Sequence, residues 1–427
     1  MLRKTVSGTM LTLLLTSMLT LAFNIQTVKS EPRTIIVPCD YPTIQLAINA
    51  ASPGDTVYVR AGTYREKVLI EKNGLRLIGE NRDITIIDGG EWGTVVDLRA
   101  NNTVVAGFTI RNSSIGRGFY SGLSIWRSCN VSVYDNKVDN NRYGICVGWE
   151  CSNVSLCNNS VTNSLYYGIV LYHSRFCYLR NNAMTGNRFD FGVWPWPSCT
   201  LQDCIHDIDT SNLVEGKPVV YMLNQNGLKI NPSTYPDIGY LALINCTNVI
   251  VEDLALTNNV EGMLLAYTIG STIKDNVINN NDLGIRLQSS HKISFYNNTV
   301  TNNRFGIILS NSFYNSLKGN NVTNNECGVT IFESSNNVLS NNLMAYNSYN
   351  FEVDGTELSD FTQYIDASNT VDGKPIYYWI NRQNEEVPSN AGFVALVNSA
   401  NITVKGLLLQ NNRHGIVLAY TTNSHVT

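Results

Sequence analysis

The sequence predicts an all-β fold: a right-handed parallel β-helix, or solenoid, with a short N-terminal capping helix and two insertions. Three observations predict it. The chain repeats itself at intervals of 22 to 24 residues, marked by Gly122, Gly144, Gly168 and Gly192 and then by Gly262, Gly284, Gly306 and Gly328. Inside each interval the apolar residues alternate with period two, the mark of strands and not of helices. An Asn returns at one register position in coil after coil.

The repeat justifies the coil. Residues 130–147 read NVSVYDNKVDNNRYGICV, with Val131 and Val133, then Val138, then Ile145 and Val147 as the inward positions. Three short strands separated by Asn and Gly turns make one turn of a solenoid, and stacked turns form parallel sheets about 4.8 Å apart. Leucine-rich repeats share the period, but their leucine consensus is absent. No helix separates successive strands, which excludes a doubly wound α/β sheet.

The recurring amides are Asn136, Asn159, Asn182, Asn276, Asn298 and Asn320. A buried polar group must be hydrogen-bonded, and a column of amides meets that need by bonding coil to coil. These residues are therefore expected to form an internal ladder with a structural role. Phe108, Leu254 and Leu407 hold the same position in segments that start a run of coils.

Taken in order, residues 1–30 read as a signal peptide: Arg3 and Lys4 precede an apolar run over residues 10–23, too short to span a bilayer. The expected location is secreted or cell-surface, with membrane contact only through this segment. Residues 31–198 hold the cap and the first coils. Ile44, Ala47, Ile48 and Ala51 share one face of a short helix that would plug the open end of the solenoid. An insertion follows at 199–245, further coils at 246–355, a second insertion at 356–398 and more coils at 399–427, with continuation beyond residue 427 expected. A longer duplication underlies this plan. IDTSNLVEGKPVVY (208–221) recurs as IDASNTVDGKPIYY (365–378), and residues 239–268 recur as 392–421.

The segment YPTIQLAINAASPGDTVYVRAGTYRE, the N-x-V-x-x-N-x-x-G-I repeat and the twice-used D-x-S-N-x-V-[ED]-G-K-P block resemble the NosD-type β-helix proteins. These exported proteins of the pectin-lyase-like superfamily are common in archaea. The resemblance spans nearly all of residues 35–427. It implies the fold directly. For activity it implies only a range, from lyases, hydrolases and esterases to non-enzymes, together with the copper-handling role carried by the NosD name.

Function classes narrow by composition. Only 15% of the residues are charged and the net charge is −4, without a basic block, which argues against nucleic acid as a partner. The five histidines are scattered. Cys199, Cys204 and His206 are the nearest approach to a metal-ligand cluster, with spacing that matches no standard site, so no metal and no cofactor is expected. The ten cysteines of an exported chain permit disulfides. Cys129 and Cys151, one coil apart, are one candidate pair, and Cys199 with Cys246 is another. Cys177 aligns with Val131 and Val154 and reads as core.

No paired-carboxylate signature of a polysaccharide hydrolase is present, and Gln202-Asp203 is an isolated fragment of an esterase pattern. In the duplicated blocks Asp209, Glu215 and Lys217, then Asp366, Asp372 and Lys374, are either twin ligand sites or solvated turn residues. Aromatic side chains carry the stronger clue. Trp126, Tyr172 and Trp196 stand four residues after their coil glycines and Trp149 and Tyr267 five, so together with Trp194 they are expected to form a column along one edge, which either stacks on sugar rings or packs against the insertions and itself. The reading is a scaffold or carbohydrate-binding protein without evident catalysis, with glycans or other surface proteins as partners. The alternatives are a polysaccharide-active enzyme and a NosD-like copper-handling protein.

Overall fold

A computed structural model of the chain describes residues 31–194 and 199–427. The expected signal peptide lies outside the described residues. From Thr34 onward the chain winds through about 18 turns of right-handed parallel β-helix. Strands one coil apart pair in register: Val133 lies beside Leu156, and Leu156 beside Leu179.

The capping helix forms where the sequence places it, at Ile44–Ala50, with Ile44, Ala47 and Ile48 buried on the tube's first coil. Thr43 accepts from the Leu46 N–H, and the Glu66 carboxylate accepts from the N–H groups of Ile44 and Gln45 at 2.9 Å each. The first turn's free donors are thereby satisfied.

The amide ladder is continuous. Asn136 donates to Asn159 at 3.1 Å, Asn159 to Asn182 at 3.0 Å and Asn182 to Asn212 at 2.8 Å. A second run passes from Asn276 through Asn298, Asn320 and Asn342 to Asn369. Phe108 and Leu254 start the two runs, their backbone N–H groups donating to the first Asn of each. The glycine column has an equally direct cause. A Cβ on Gly144 would stand 2.4 Å from the Gly168 carbonyl, and one on Gly168 would stand 2.5 Å from that of Asp190. On that last coil the register pairs Val170 with Gly192, so Asp190, and not Gly192, continues the column. The sequence alignment was two residues out there.

Residues 199–245 and 356–398 are where the architecture changes direction. The first tube ends with Asp207–Ile208 and Leu213–Val214, each still paired in parallel on the preceding coil. A tight turn at Glu215-Gly216 then sends Lys217–Leu223 back antiparallel to Leu213–Val214. That strand continues the sheet, pairing in parallel with Tyr240–Ile244, and the second tube grows from it. The device repeats at Thr370–Val371 and Lys374–Ile380, founding a third tube.

The new tube docks side-on over the open end of the old one. Tyr240–Ile244 is buried at all five positions. Tyr240, Ala242 and Ile244 belong to the first tube's core, whereas Leu241 and Leu243 belong to the second's. At the next junction Phe393, Ala395 and Val397 face the second core and Val394 and Leu396 the third. Each elbow thus plugs a solenoid end that would otherwise expose unpaired backbone and apolar side chains. Phe191 meets Tyr240 edge-on at 5.0 Å, and Phe351 meets Phe393 in the same way at 5.0 Å.

All ten cysteines are free thiols. Cys129 pairs with Ser152, which leaves Cys151 one residue out of register with it, and alternate strand residues point to opposite sides. The expected bridges at Cys129–Cys151 and Cys199–Cys246 are therefore not formed. Cys177 is fully buried in the core, as its alignment predicts.

Candidate functional site

The first elbow leaves a cleft of about 1160 Å³ between the two tubes. One wall belongs to the first tube and is aromatic, with Trp126, Trp149, Tyr166, Tyr167, Tyr172, Phe189 and Trp194. The other belongs to the second tube's turns and is polar, with Asn280, Asp282, Asn302, Arg304, Asn324 and Glu326.

Register builds the aromatic wall. Tyr172 sits directly beside Trp194 on the next strand, and their rings lie 6.2 Å apart. Trp149 is 5.9 Å from Tyr172, and Tyr167 is 5.9 Å from Trp194. The coil between Trp126 and Tyr172 carries Gly148 in this column, and the Trp126 ring lies across it. A Cβ on Gly148 would meet that ring at 2.6 Å. Below this column Tyr143 stacks on Tyr166 at 5.5 Å. Arg142 and Arg188 stand over the Tyr166 ring at 4.6 and 5.4 Å, a favourable placement of cation over π face.

The walls meet at Asp282. Arg304 grips its carboxylate with two parallel bonds of 2.6 and 2.8 Å, and the Tyr167 hydroxyl donates to it across the junction at 2.7 Å. The Arg304 guanidinium also lies 6.0 Å from the Trp194 ring centre. Burial and the Asp282 charge hold the Tyr167 phenol far above its usual range, so it remains a donor. Asp282 is thereby committed to Arg304 and Tyr167.

Behind the cleft the joint contains ionisable groups without exposure. Burial pushes Asp190 up to about 7, although Asn187 donates to it at 2.7 Å. Burial likewise raises Glu261 to about 8, against the opposing pull of the nearby Arg286 charge. Glu261 accepts from the Val193 N–H at 3.2 Å, tying the second tube to the first.

The expected site residues divide clearly. Trp126, Trp149, Tyr172 and Trp194 line the cleft together. Tyr267 does not join them: its hydroxyl donates to the Cys199 carbonyl at 2.7 Å. Trp196 lies outside the described residues, and the register gives its expected place in the column to Trp194. Glu215, Lys217, Asp372 and Lys374 stand at the two chain reversals, and Asp209 and Asp366 in the turns just before Leu213–Val214 and Thr370–Val371. Asp209 pairs with Arg180 at 2.9 Å. Glu215 and Asp372 each accept a backbone N–H of the neighbouring coil, from Gly186 and Tyr346. Asp366 accepts from the Ser368 N–H, and Lys217 is exposed at the start of its strand. Lys374 donates to the Leu408 carbonyl at 3.3 Å.

Cys199 and Cys204 face each other, but His206 turns away. Its Nδ1 accepts from the Cys177 N–H at 3.2 Å, and burial lowers it to about 4. The sequence reading missed the whole polar wall and also Tyr166, Tyr167 and Phe189. Tyr143-Gly144 and Tyr167-Gly168 carried a signal, an aromatic immediately before the anchoring glycine on successive coils. For the polar wall no local signal exists, because Asp282 reaches Tyr167 across 115 residues.

The sequence matches the NosD family, described as periplasmic copper-binding protein (NosD), over residues 48–195 and 205–363. No curated protein matches it significantly. Among solved structures it is similar to the mannuronan C-5 epimerase AlgE4 A-module of Azotobacter vinelandii, at 13% identity and a TM-score of 0.32, covering 90% of this chain and 92% of that one. A GH87 α-1,3-glucanase catalytic domain in complex with nigerose gives 13%, 0.37, 81% and 69%. Pectin methylesterase PemA from Erwinia chrysanthemi gives 10%, 0.31, 62% and 81%.

Proposed function

This chain belongs to the NosD family, and we propose that it is an exported carbohydrate-binding protein that seats a glycan in the first elbow's cleft without cleaving it. The observation that carries this reading is the pairing of a ring-lined wall with a wall of amides, Asp282, Arg304 and Glu326. Sugar rings present apolar C–H faces to aromatic side chains, while their hydroxyl groups ask for planar polar partners around the rim. Adjacent rungs repeat about every 4.8 Å, close to the length of a sugar residue, so an extended chain can use several rings at once.

Binding is favoured over hydrolysis by the carboxylates. Glycoside hydrolysis uses two, one of them a free proton donor, set several ångströms apart across the bond. The cleft's acids are Asp282 and Glu326, and Asp282 is held by Arg304 and Tyr167. Export is in keeping with the family's periplasmic description, and no helix among the described residues is long and apolar enough to cross a membrane.

Copper, which the family description names, finds little support in the described side chains. Among the described residues no three His, Cys, Asp or Glu side chains converge to hold a metal ion, and His206 is turned from the Cys199–Cys204 pair.

The test pairs a glycan array with a reducing-sugar release assay on the array's best ligands. Saturable binding that weakens in Tyr172→Ala, without sugar release, is the expected result. Release of reducing ends by the parent chain, abolished in Glu326→Gln, would replace this reading with an enzyme.

A further inference from the structure

The first elbow contains a pair of groups that glycan binding does not use. Cys199 and Cys204 bracket a short 3-10 turn, Leu201–Cys204, both buried and close enough that each thiol shifts the ionisation of the other. Both ends of this turn are bolted to the second tube. The Tyr267 hydroxyl donates to the Cys199 carbonyl at 2.7 Å, and that of Tyr221 to the Cys204 carbonyl at 2.6 Å.

The second elbow shows that thiols are not required to build this turn. There Leu358–Phe361 forms the same 3-10 turn, capped by Asp360 as the first is by Asp203. Tyr378 donates to the Phe361 carbonyl at 2.6 Å, as Tyr221 does to that of Cys204. Thr356 and Phe361 stand where the first elbow has its cysteines. The pair is an addition to a turn that folds without it.

We propose that Cys199 and Cys204 are a thiol–disulfide pair, whose oxidation staples the turn that joins the first two tubes. The surroundings fit the exchange chemistry. The nucleophile must be a thiolate that an external disulfide can reach. Cys199 keeps 9% of its surface exposed while Cys204 has none, so Cys199 meets the oxidant first. The Cys204 hydrogen bond and the buried Arg286 charge lower the Cys199 thiol, and the same contact raises Cys204.

With a small disulfide as oxidant, the Cys199 thiolate attacks one of its sulfurs. A mixed disulfide forms and one external thiolate leaves. Cys204 then loses its proton and attacks the Cys199 sulfur, forming the Cys199–Cys204 bond and expelling the second external thiolate. Two protein thiols are oxidised, one external disulfide is reduced, and the two protons end on the released thiols.

The experiment takes the full chain through a series of glutathione buffers, from fully reduced to fully oxidised. It is then quenched with acid, unfolded, alkylated and mapped by mass spectrometry. The expected result is a Cys199–Cys204 crosslink, lighter by two hydrogens than the reduced pair, forming over one redox midpoint while Cys177 and Cys246 remain alkylatable. Reduction should also lower the parent's thermal midpoint by a few degrees and leave that of Cys199→Ser unmoved. Mapping of the parent protein needs no variant, so a misfolded Cys199→Ser would not hide the answer. Both cysteines alkylated as free thiols in fully oxidised buffer, or either one crosslinked to another cysteine, would overturn the proposal.

Discussion

The two elbows share a backbone and differ in nearly every side chain that does chemistry. Phe191 in the first corresponds to Phe351 in the second, and each meets an aromatic of the following tube edge-on. Around that common joint Asp190 is replaced by Asn350, Tyr240 by Phe393, Glu261 by His414 and Trp194 by Asp354. The second elbow's pocket, lined by Asp354, His414 and Tyr420 among others, lacks the aromatic wall. One duplicated module therefore serves twice as a joint and only at the first opens an aromatic-walled cleft. The apolar contacts make the turn, and the polar and aromatic substitutions at the first elbow are additions to it.

The most damaging way to test this equivalence is to remove the shared ring. Phe191→Ala and Phe351→Ala should each lower unfolding free energy by about 3–5 kcal/mol, as for other buried aromatic truncations. Denaturant titration of both variants gives the answer, and a large cost at one elbow beside none at the other would show that they are not the same device.

A second comparison uses pH. The folded pKa of Glu261, about 8, lies above its ordinary value, and that of Asp190, about 7, does too. The folded protein therefore holds these protons more tightly than the unfolded chain. The stability they contribute is complete near pH 4 and is lost as pH rises to about 8. The two shifts correspond to a loss of at most about 4 kcal/mol for each group at the first elbow, read from amide exchange around Phe191 after correction for the intrinsic rate. Glu261→Gln should remove about half of that slope, leaving the part that Asp190 contributes. Exchange around Phe351, beside Asn350, should show no counterpart.

Binding should separate the elbows next. Tyr172→Ala is expected to weaken glycan affinity about tenfold, the worth of one stacked ring. Phe332→Ala, its positional equivalent at the second elbow, should leave affinity unchanged in the same calorimetric titration. The smallest effect belongs to Gly148→Ala. The added methyl meets the Trp126 ring, which must tilt, so affinity should fall a few-fold while the melting midpoint stays nearly where it was.

Much of this was readable before any fold was known. Asn136, Asn159 and Asn182 fall one coil apart, and a buried amide has few ways to be satisfied except through its neighbours. Trp126, Trp149 and Tyr172 fall about one period apart, so their common edge followed from the same arithmetic, which placed Trp196 where the register puts Trp194. Where the glycine anchor slipped, at Gly192, the cause was the elbow itself: a Cβ there would meet Val260 and Glu261 of the next tube at 2.3 and 2.6 Å. That glycine answers to docking and not to the repeat.

The elbows had one local trace. Tyr240–Ile244 and Phe393–Val397 are unbroken apolar runs amid alternating strands, and a strand without alternation is covered on both faces. The trace says that such a strand is covered, but not by what.

The sequence by itself determined the coil, its ladder, its plug and its column of rings, because each depends on neighbours one period away and periodicity is visible in a string of letters. Only the tertiary structure decided that the tube turns twice, and that Tyr167 of one arm reaches Asp282 and Arg304 of the other. Those contacts join outer surfaces whose relative placement is set by burial of apolar area at the joints, a quantity summed over distant strands and written at no single position.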